Sequence, residues 1–263
     1  MSRIQRALQD SFRRLRRARL QPVQVAVVDS GVDATHPALR GRVAAAWQVI
    51  PGADSPRLAR VSRARNNDSF GHGTAVAGII AAIAPNARLL DIRVLDEHCQ
   101  GGGQALLAGF GQAMAAGARL INLSLACVAE YAPQLHDLCE RAYRRNQIVI
   151  AARRNMPLAD NGFPAEFSSC ISVDVMASPS PYAIAFLDPP PIEFAARGEN
   201  VRVLAAGGGT THQTGTSFAT PAVTGLCALL VGAYPDLKLF ELKTLLKHFA
   251  RRPACGRDRH SGS

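Results

Sequence analysis

Three short stretches carry residues able to move protons or attack a carbonyl. In the first, the apolar run VQVAVV leads into DSGVDATHPAL, so Asp29 stands where a buried strand would end. Open α/β sheets hold ligands at the carboxyl edge of their strands, and an acid there could support a catalytic partner. The plainer role for such an aspartate is to cap a turn, and Asp33 and His36, which follow in that turn, are read as structural. In the second stretch, NNDSFGHGTAVAGIIAA, His72 lies between two glycines at the head of a run of small apolar residues. Flanking glycines allow close backbone approach, and a helix start holds an imidazole in one orientation. A lone histidine is more often a surface or core residue, but a helix so rich in Ala and Gly must be packed on several sides, as the mount of a general base would be. In the third stretch, TGTSFATPAVTG, Ser217 opens a long apolar helix with Pro221 expected in its first turn. Its hydroxyl could merely cap the helix. The N–H groups of a helix start would equally stabilise an anion formed at the serine oxygen.

The elements that must position these residues are legible as alternating short Val/Ile/Leu runs and longer helical segments, the pattern of a mostly parallel sheet covered on both faces. Strands are expected at Val23–Val28, Arg88–Val94, Arg119–Leu123, Gln147–Ala151, Ile171–Val175 and Val201–Leu204. Helices are expected at His72–Ile83, Gln104–Ala116, Gln134–Arg145, Ser217–Ala233 and Leu237–Phe249. The fold class is therefore α/β, three-layered, with one domain over residues 22–250. A basic amphipathic arm (1–21) would precede it and a polar Arg- and Gly-rich tail (251–263) would follow.

With 263 residues, 48% hydrophobic and 19% charged, the chain has an ordinary globular composition. Its formal charge of +10 is concentrated partly in the arm, where seven arginines from Arg3 to Arg19 face only Asp10. The arm is either a solvated helix packed loosely on the domain or a docking element for an acidic partner. No stretch anywhere in the chain approaches the roughly 18 apolar residues needed to cross a bilayer, and no secretory leader is read at the N-terminus, so a cytoplasmic location is expected. The six cysteines, at 99, 127, 139, 170, 227 and 255, show no metal-type spacing and are expected to be reduced.

DSGVDATHP, GHGTAVAG and GTSFATP, in that order, resemble the three signature blocks of the subtilisin-like serine proteases. The resemblance implies a nucleophile at Ser217, a general base at His72, and at Asp29 the carboxylate that orients and stabilises His72. It further implies an oxyanion hole made by Asn155, which follows the buried run IVIAARR, and the backbone N–H of Ser217. An extended peptide would lie between Gly101, Gly102, Gly103 on one side and Ser124, Leu125, Ala126 on the other. Ala152, Arg153, Arg154 and Gly162 would complete the pocket for the side chain preceding the scissile bond. Read alone, the GGG loop would be a flexible turn.

Two departures from the family pattern matter. Ala126 and Cys127 stand where the family has glycines, and Arg153 and Arg154 where it has small residues. Either the pocket is narrowed or electropositive, favouring small or acidic side chains, or both arginines turn to solvent. The connection IIAAIAPNARLL lacks the insertion that builds the family's high-affinity calcium site, so no metal and no cofactor are expected. The expected partner is a peptide or protein substrate, an acidic one being the class the arginines would suit. The short arm suggests an intracellular maturation protease for a peptide precursor. Two other functions compete: a catalytically silent relative that binds peptides in the groove, and a nucleic-acid binder. The latter lacks any reader motif or stacking-aromatic cluster, so no nucleic-acid partner is expected.

Overall fold

The computed structural model describes residues 3–50, 52, 56–156 and 160–250. The polar tail expected at 251–263 lies outside the described residues.

A nine-stranded sheet forms the middle layer. Its strands are β1 (Val23–Asp29), β2 (Val43–Ile50), β3 (Arg57–Val61), β4 (Ala87–Arg93), β5 (Leu120–Leu123), β6 (Ile148–Ala152), β7 (Cys170–Met176), β8 (Ile184–Phe186) and β9 (Phe194–Arg197). Their spatial order is β3-β2-β4-β1-β5-β6-β7-β9-β8. Pairing is parallel except at the two edges, β2–β3 and β8–β9, which are antiparallel. The helices are α1 (Arg3–Arg17), α2 (His72–Ile83), α3 (Gly103–Ala115), α4 (Ala132–Arg144), α5 (Thr216–Ala233) and α6 (Leu239–Phe249).

Side chains of a doubly covered strand alternate between two cores. Val25 and Val27 of β1 pack with α1, α2, α5 and α6 on one face, while Ala26 and Val28 pack with α3 and α4 on the other. From β1 the chain crosses through α2 to β4 on one side, then returns through α3 to β5 on the other. The sheet thus reverses direction at β1, which opens a crevice beyond its carboxyl end.

Five expected strands fall within one residue or so of β1, β4, β5, β6 and β7. The sixth, Val201–Leu204 (β10), is a strand but not part of the central sheet: it pairs antiparallel with β11 (Thr210–Gln213) in a separate hairpin. The outer pairs at the two ends of the sheet, β2 with β3 and β8 with β9, were not expected. They are only partly buried or very short, so they lack a strong apolar run.

Two further expectations are corrected. The 18-residue α5 is long and apolar enough to cross a membrane by length and composition, but it is almost wholly buried in the core against α2 and the sheet. Nor is the arm loosely attached: Phe12 is buried with its ring 4.7 Å from that of Phe249, and Arg16 Nε donates to Ala82 O at 2.9 Å.

Candidate active site

Asp29 ends β1 and is fully buried; its Oδ1 lies 2.7 Å from His72 Nδ1 and accepts the Ser30 N–H at 2.7 Å. A proton held on Nδ1 by this carboxylate leaves Nε2 as the basic nitrogen. Burial of His72 disfavours the imidazolium, but the charge and hydrogen bond of Asp29, helped by the charge of Asp68, outweigh it and raise the pKa above the ordinary value of 6.5.

The backbone around His72 is tied down on both sides. Asp68 Oδ1 accepts from Ser30 Oγ at 2.8 Å, Phe70 N at 3.0 Å and Gly71 N at 2.7 Å, and its Oδ2 accepts the Thr74 N–H at 2.8 Å. Ser30 Oγ in turn accepts the Gly73 N–H at 3.0 Å. Donors at a helix start have no intrahelical partner, so this carboxylate satisfies the first turn of α2 from outside. At Gly73 a Cβ would collide with the carbonyl oxygen of Gly31, so the helix reaches the turn after Asp29 only because residue 73 has no side chain.

Ser217 is the second residue of α5, where its own N–H precedes any intrahelical acceptor. Pro221 is the sixth residue of α5, not part of its first turn. Having no N–H, it leaves the Ser217 carbonyl free, and Ser124 Oγ donates to that carbonyl at 2.9 Å. Ser124 Oγ accepts from Asn122 Nδ2 at 2.9 Å, and Asn122 Oδ1 accepts from Thr224 Oγ1 at 2.8 Å. A buried polar chain thus locks β5 to α5 directly beneath the serine.

Asn155 Oδ1 accepts the Thr216 N–H at 2.9 Å, while Thr216 Oγ1 donates to Arg153 O at 2.7 Å. This fixes the amide by its oxygen, and among the described residues no partner takes its Nδ2. That is the orientation an oxyanion donor next to Ser217 requires.

His72 and Ser217 share the wall of a groove of about 800 Å³, without a hydrogen bond between their side chains. Gly101, Gly102 and Gly103 line the same groove, as do Ser124, Leu125, Ala126 and Arg154. Ala152, Arg153 and Gly162 do not. Ala152 is buried in β6, and Gly162 sits behind the wall with φ +88°, where a Cβ would press on Ala126 and Arg154.

The two arginines part company, and neither turns to solvent. Arg153 pairs with Asp174 and donates from Nε to Asn161 Oδ1 at 3.0 Å, away from the groove. Arg154 reaches the groove wall, its NH2 donating to Cys127 O and to Asp160 Oδ1, each at 3.0 Å, while its buried Nε has no partner among the described residues. Asp160 makes the wall less positive than the sequence suggested.

Asp33 and His36 are structural, as expected. Asp33 Oδ2 accepts the Gly207 N–H at 2.8 Å and His36 Nε2 lies 3.2 Å from Gly209 O, so both clasp the turn of the β10–β11 hairpin. Sequence reading passed over Asp68, Thr216 and Asp91. The signal for Asp91 was a single acid inside the apolar run RLLDIRVL, and a buried charge needs a reason.

The model of the Subtilase family matches residues 21–262. A thermophilic serine proteinase of Bacillus sp. (strain AK1) is 31% identical over 223 residues, 79% of this chain and 51% of that protein. Subtilisin DY of Bacillus licheniformis is 30% identical over 241 residues, 87% of this chain and 83% of its own. Thermitase of Thermoactinomyces vulgaris is 30% identical over 223 residues, 79% and 74% of the two chains. The chain spans about half the length of the first of these relatives. Among solved structures, Sphericase superposes with a TM-score of 0.70 at 23% identity, covering 90% of this chain and 88% of its own. A cold-adapted subtilisin-like serine proteinase gives 0.68 at 24% identity, covering 87% and 82%. At those identities the structural likeness is one of fold.

Proposed function

Because the chain belongs to the subtilase family of serine proteases, we propose that it is an endopeptidase that cuts peptide bonds through an acyl-enzyme on Ser217. The observation that carries this reading is the 2.7 Å contact between Asp29 and His72 on the wall that also holds Ser217.

A peptide in the groove presents its carbonyl carbon to Ser217 Oγ. His72 Nε2 takes the hydroxyl proton as the C–O bond forms, and the Asp29 carboxylate stabilises the resulting imidazolium. The oxyanion is met by the Ser217 N–H and by Asn155 Nδ2. His72 then hands its proton to the departing amine as the C–N bond breaks. Water, deprotonated by the same nitrogen, releases the acid and restores the serine.

Selectivity is proposed to be narrow, for small or acidic side chains before the scissile bond. The support is the Arg154 guanidinium on the groove wall, beside Ala126 and Cys127 in place of glycines. An intracellular role in maturing a peptide precursor fits such selectivity. It also fits the five free thiols among the described residues, including Cys139 and Cys170, whose sulfurs lie 3.4 Å apart unbridged.

A peptide-library digest read by mass spectrometry, with Ser217→Ala as control, tests this. Cleavage after small or acidic residues, absent in the control, is expected. Preference for large aromatics would remove the selectivity claim. No cleavage of any peptide would favour a silent peptide-binding relative, to which the unmade Ser217–His72 hydrogen bond lends support.

A further inference from the structure

Behind the Asp29–His72 pair lies an acid that the proposed mechanism does not use. The parallel register pairs Val27 with Asp91 and Asp29 with Arg93, so Asp91 lies on the same sheet face as Asp29, one pleat earlier on the adjoining strand. With strands ~4.8 Å apart and a rise of ~3.3 Å per residue, the two Cα atoms are about 8 Å apart. Asp91 is buried; its Oδ2 accepts from Asn67 Nδ2 at 2.9 Å, and among the described residues its Oδ1 has no partner, as is also true of Asp29 Oδ2. Asn67 donates its own N–H to Val32 O at 3.2 Å, and its neighbour Asp68 caps α2. Asp91 therefore anchors, through one amide, both the turn that follows Asp29 and the loop that leads into His72.

We infer that Asp91 is a positioning residue of the charge relay: a second buried carboxyl that holds these two loops in register and, through its charge, sets the basicity of His72.

The surroundings give this carboxyl a variable charge. From β1 it faces Asp29, and from the 66–71 loop Asp68, both negative. Arg93, on the same face of β4, sends its Nε to Leu95 O at 3.3 Å. The β2 residue opposite Asp91 is Ala46, and the Thr74 hydroxyl on α2 is already bound to Asp68. Burial first, and then the two acids, push the Asp91 pKa up to about 7, with the Asn67 and Val32 hydrogen bonds opposing them. Ionised Asp91 adds negative charge behind His72 and strengthens its hold on a proton; neutral Asp91 weakens that hold.

The inference rests on His72 being the general base, but its test does not require catalysis. In Ser217→Ala protein, NMR titration of the His72 imidazole and of the Asp91 carboxyl carbon reads both groups directly. The Asp91 carboxyl is expected to titrate near neutrality. In Asp91→Asn, an isosteric change that still accepts from Asn67, the His72 midpoint should fall by about half to one pH unit. In the catalytically intact background the acid limb of kcat/KM should move down where Asp91 is ionised in the parent, so that near pH 7 to 7.5 the variant retains about 2- to 3-fold more of its plateau rate, while the two profiles converge at pH 5.5, where the parent's Asp91 is neutral as well. A packing role alone would not move either midpoint. An Asp91 carboxyl fully ionised by pH 5 would overturn the inference without any variant having to fold. A His72 midpoint unchanged in Asp91→Asn would overturn it as well. If the NMR shifts occur while no peptide is cleaved, it is the proteolytic reading that fails.

Discussion

The relay corner and the specificity wall meet at Ser217 but are built differently. Asp29 and His72 are carried by the end of a central strand and the start of a core helix, and hydrogen bonds from Ser30 Oγ and the Thr74 N–H to the Asp68 carboxylate close the corner. Arg153 and Arg154 lie on the irregular segment after β6, held by ion pairs to Asp174 and Asp160. In the corner, position follows from backbone elements. On and behind the wall, it follows from side-chain ion pairs. A chemical step needs the first kind of rigidity, whereas selectivity can be retuned through the second without disturbing it.

The sharpest break in the comparison would come from the corner. Ser217→Ala or His72→Ala should lower kcat by about 10⁶, the magnitude known for subtilisin itself, and the double variant should lose little more. Additive losses in stopped-assay kinetics would mean that the residues do not act as one unit. Next comes Thr216→Val, which keeps shape but removes the hydroxyl that bridges to Arg153 O beside Asn155. A fall of about 10- to 100-fold in kcat with KM nearly unchanged is expected, since the donor serves the transition state. A change confined to KM would assign Asn155 to substrate binding instead.

The wall should give smaller effects. Arg154→Gln is expected to weaken preference for acidic over neutral side chains by about 3- to 10-fold in competitive cleavage, on the scale of one partly exposed charge contact. Arg153→Gln, whose partner Asp174 lies away from the groove, should leave the selectivity profile intact and cost about 1 kcal/mol in denaturant unfolding. Equal effects on selectivity from both would erase the distinction between them.

The same contrast explains what the sequence disclosed. The five main parallel strands and the five core helices are legible because each combines apolar periodicity with a clear boundary, and the triad sits at such boundaries: Asp29 at a strand end, His72 and Ser217 at helix starts. The outer strands β2, β3, β8 and β9 were hidden because short or half-buried strands carry no distinctive pattern. β10 was seen as a strand but assigned to the wrong sheet, since a four-residue run says nothing of its partner. The fates of Arg153 and Arg154 were illegible for a related reason: Asp174 lies 21 residues from Arg153 in sequence, and no periodicity announces such a pair. Asp91 was the opposite case, visible as an acid in an apolar strand but without meaning until the register placed it beside Asp29.

The most direct test of the unit formed by Ser217, His72 and Asp29 is the rate of fluorophosphonate labelling against pH, with the adduct located by mass spectrometry. Because Asp29 and Asp68 raise the His72 pKa, the neutral imidazole that activates the serine predominates only above its ordinary value of 6.5. The account predicts an adduct on Ser217 alone, forming at a rate that climbs through one ionisation above pH 6.5 and vanishing in His72→Ala. Labelling that persists in that variant, or that is flat across this range, would contradict it.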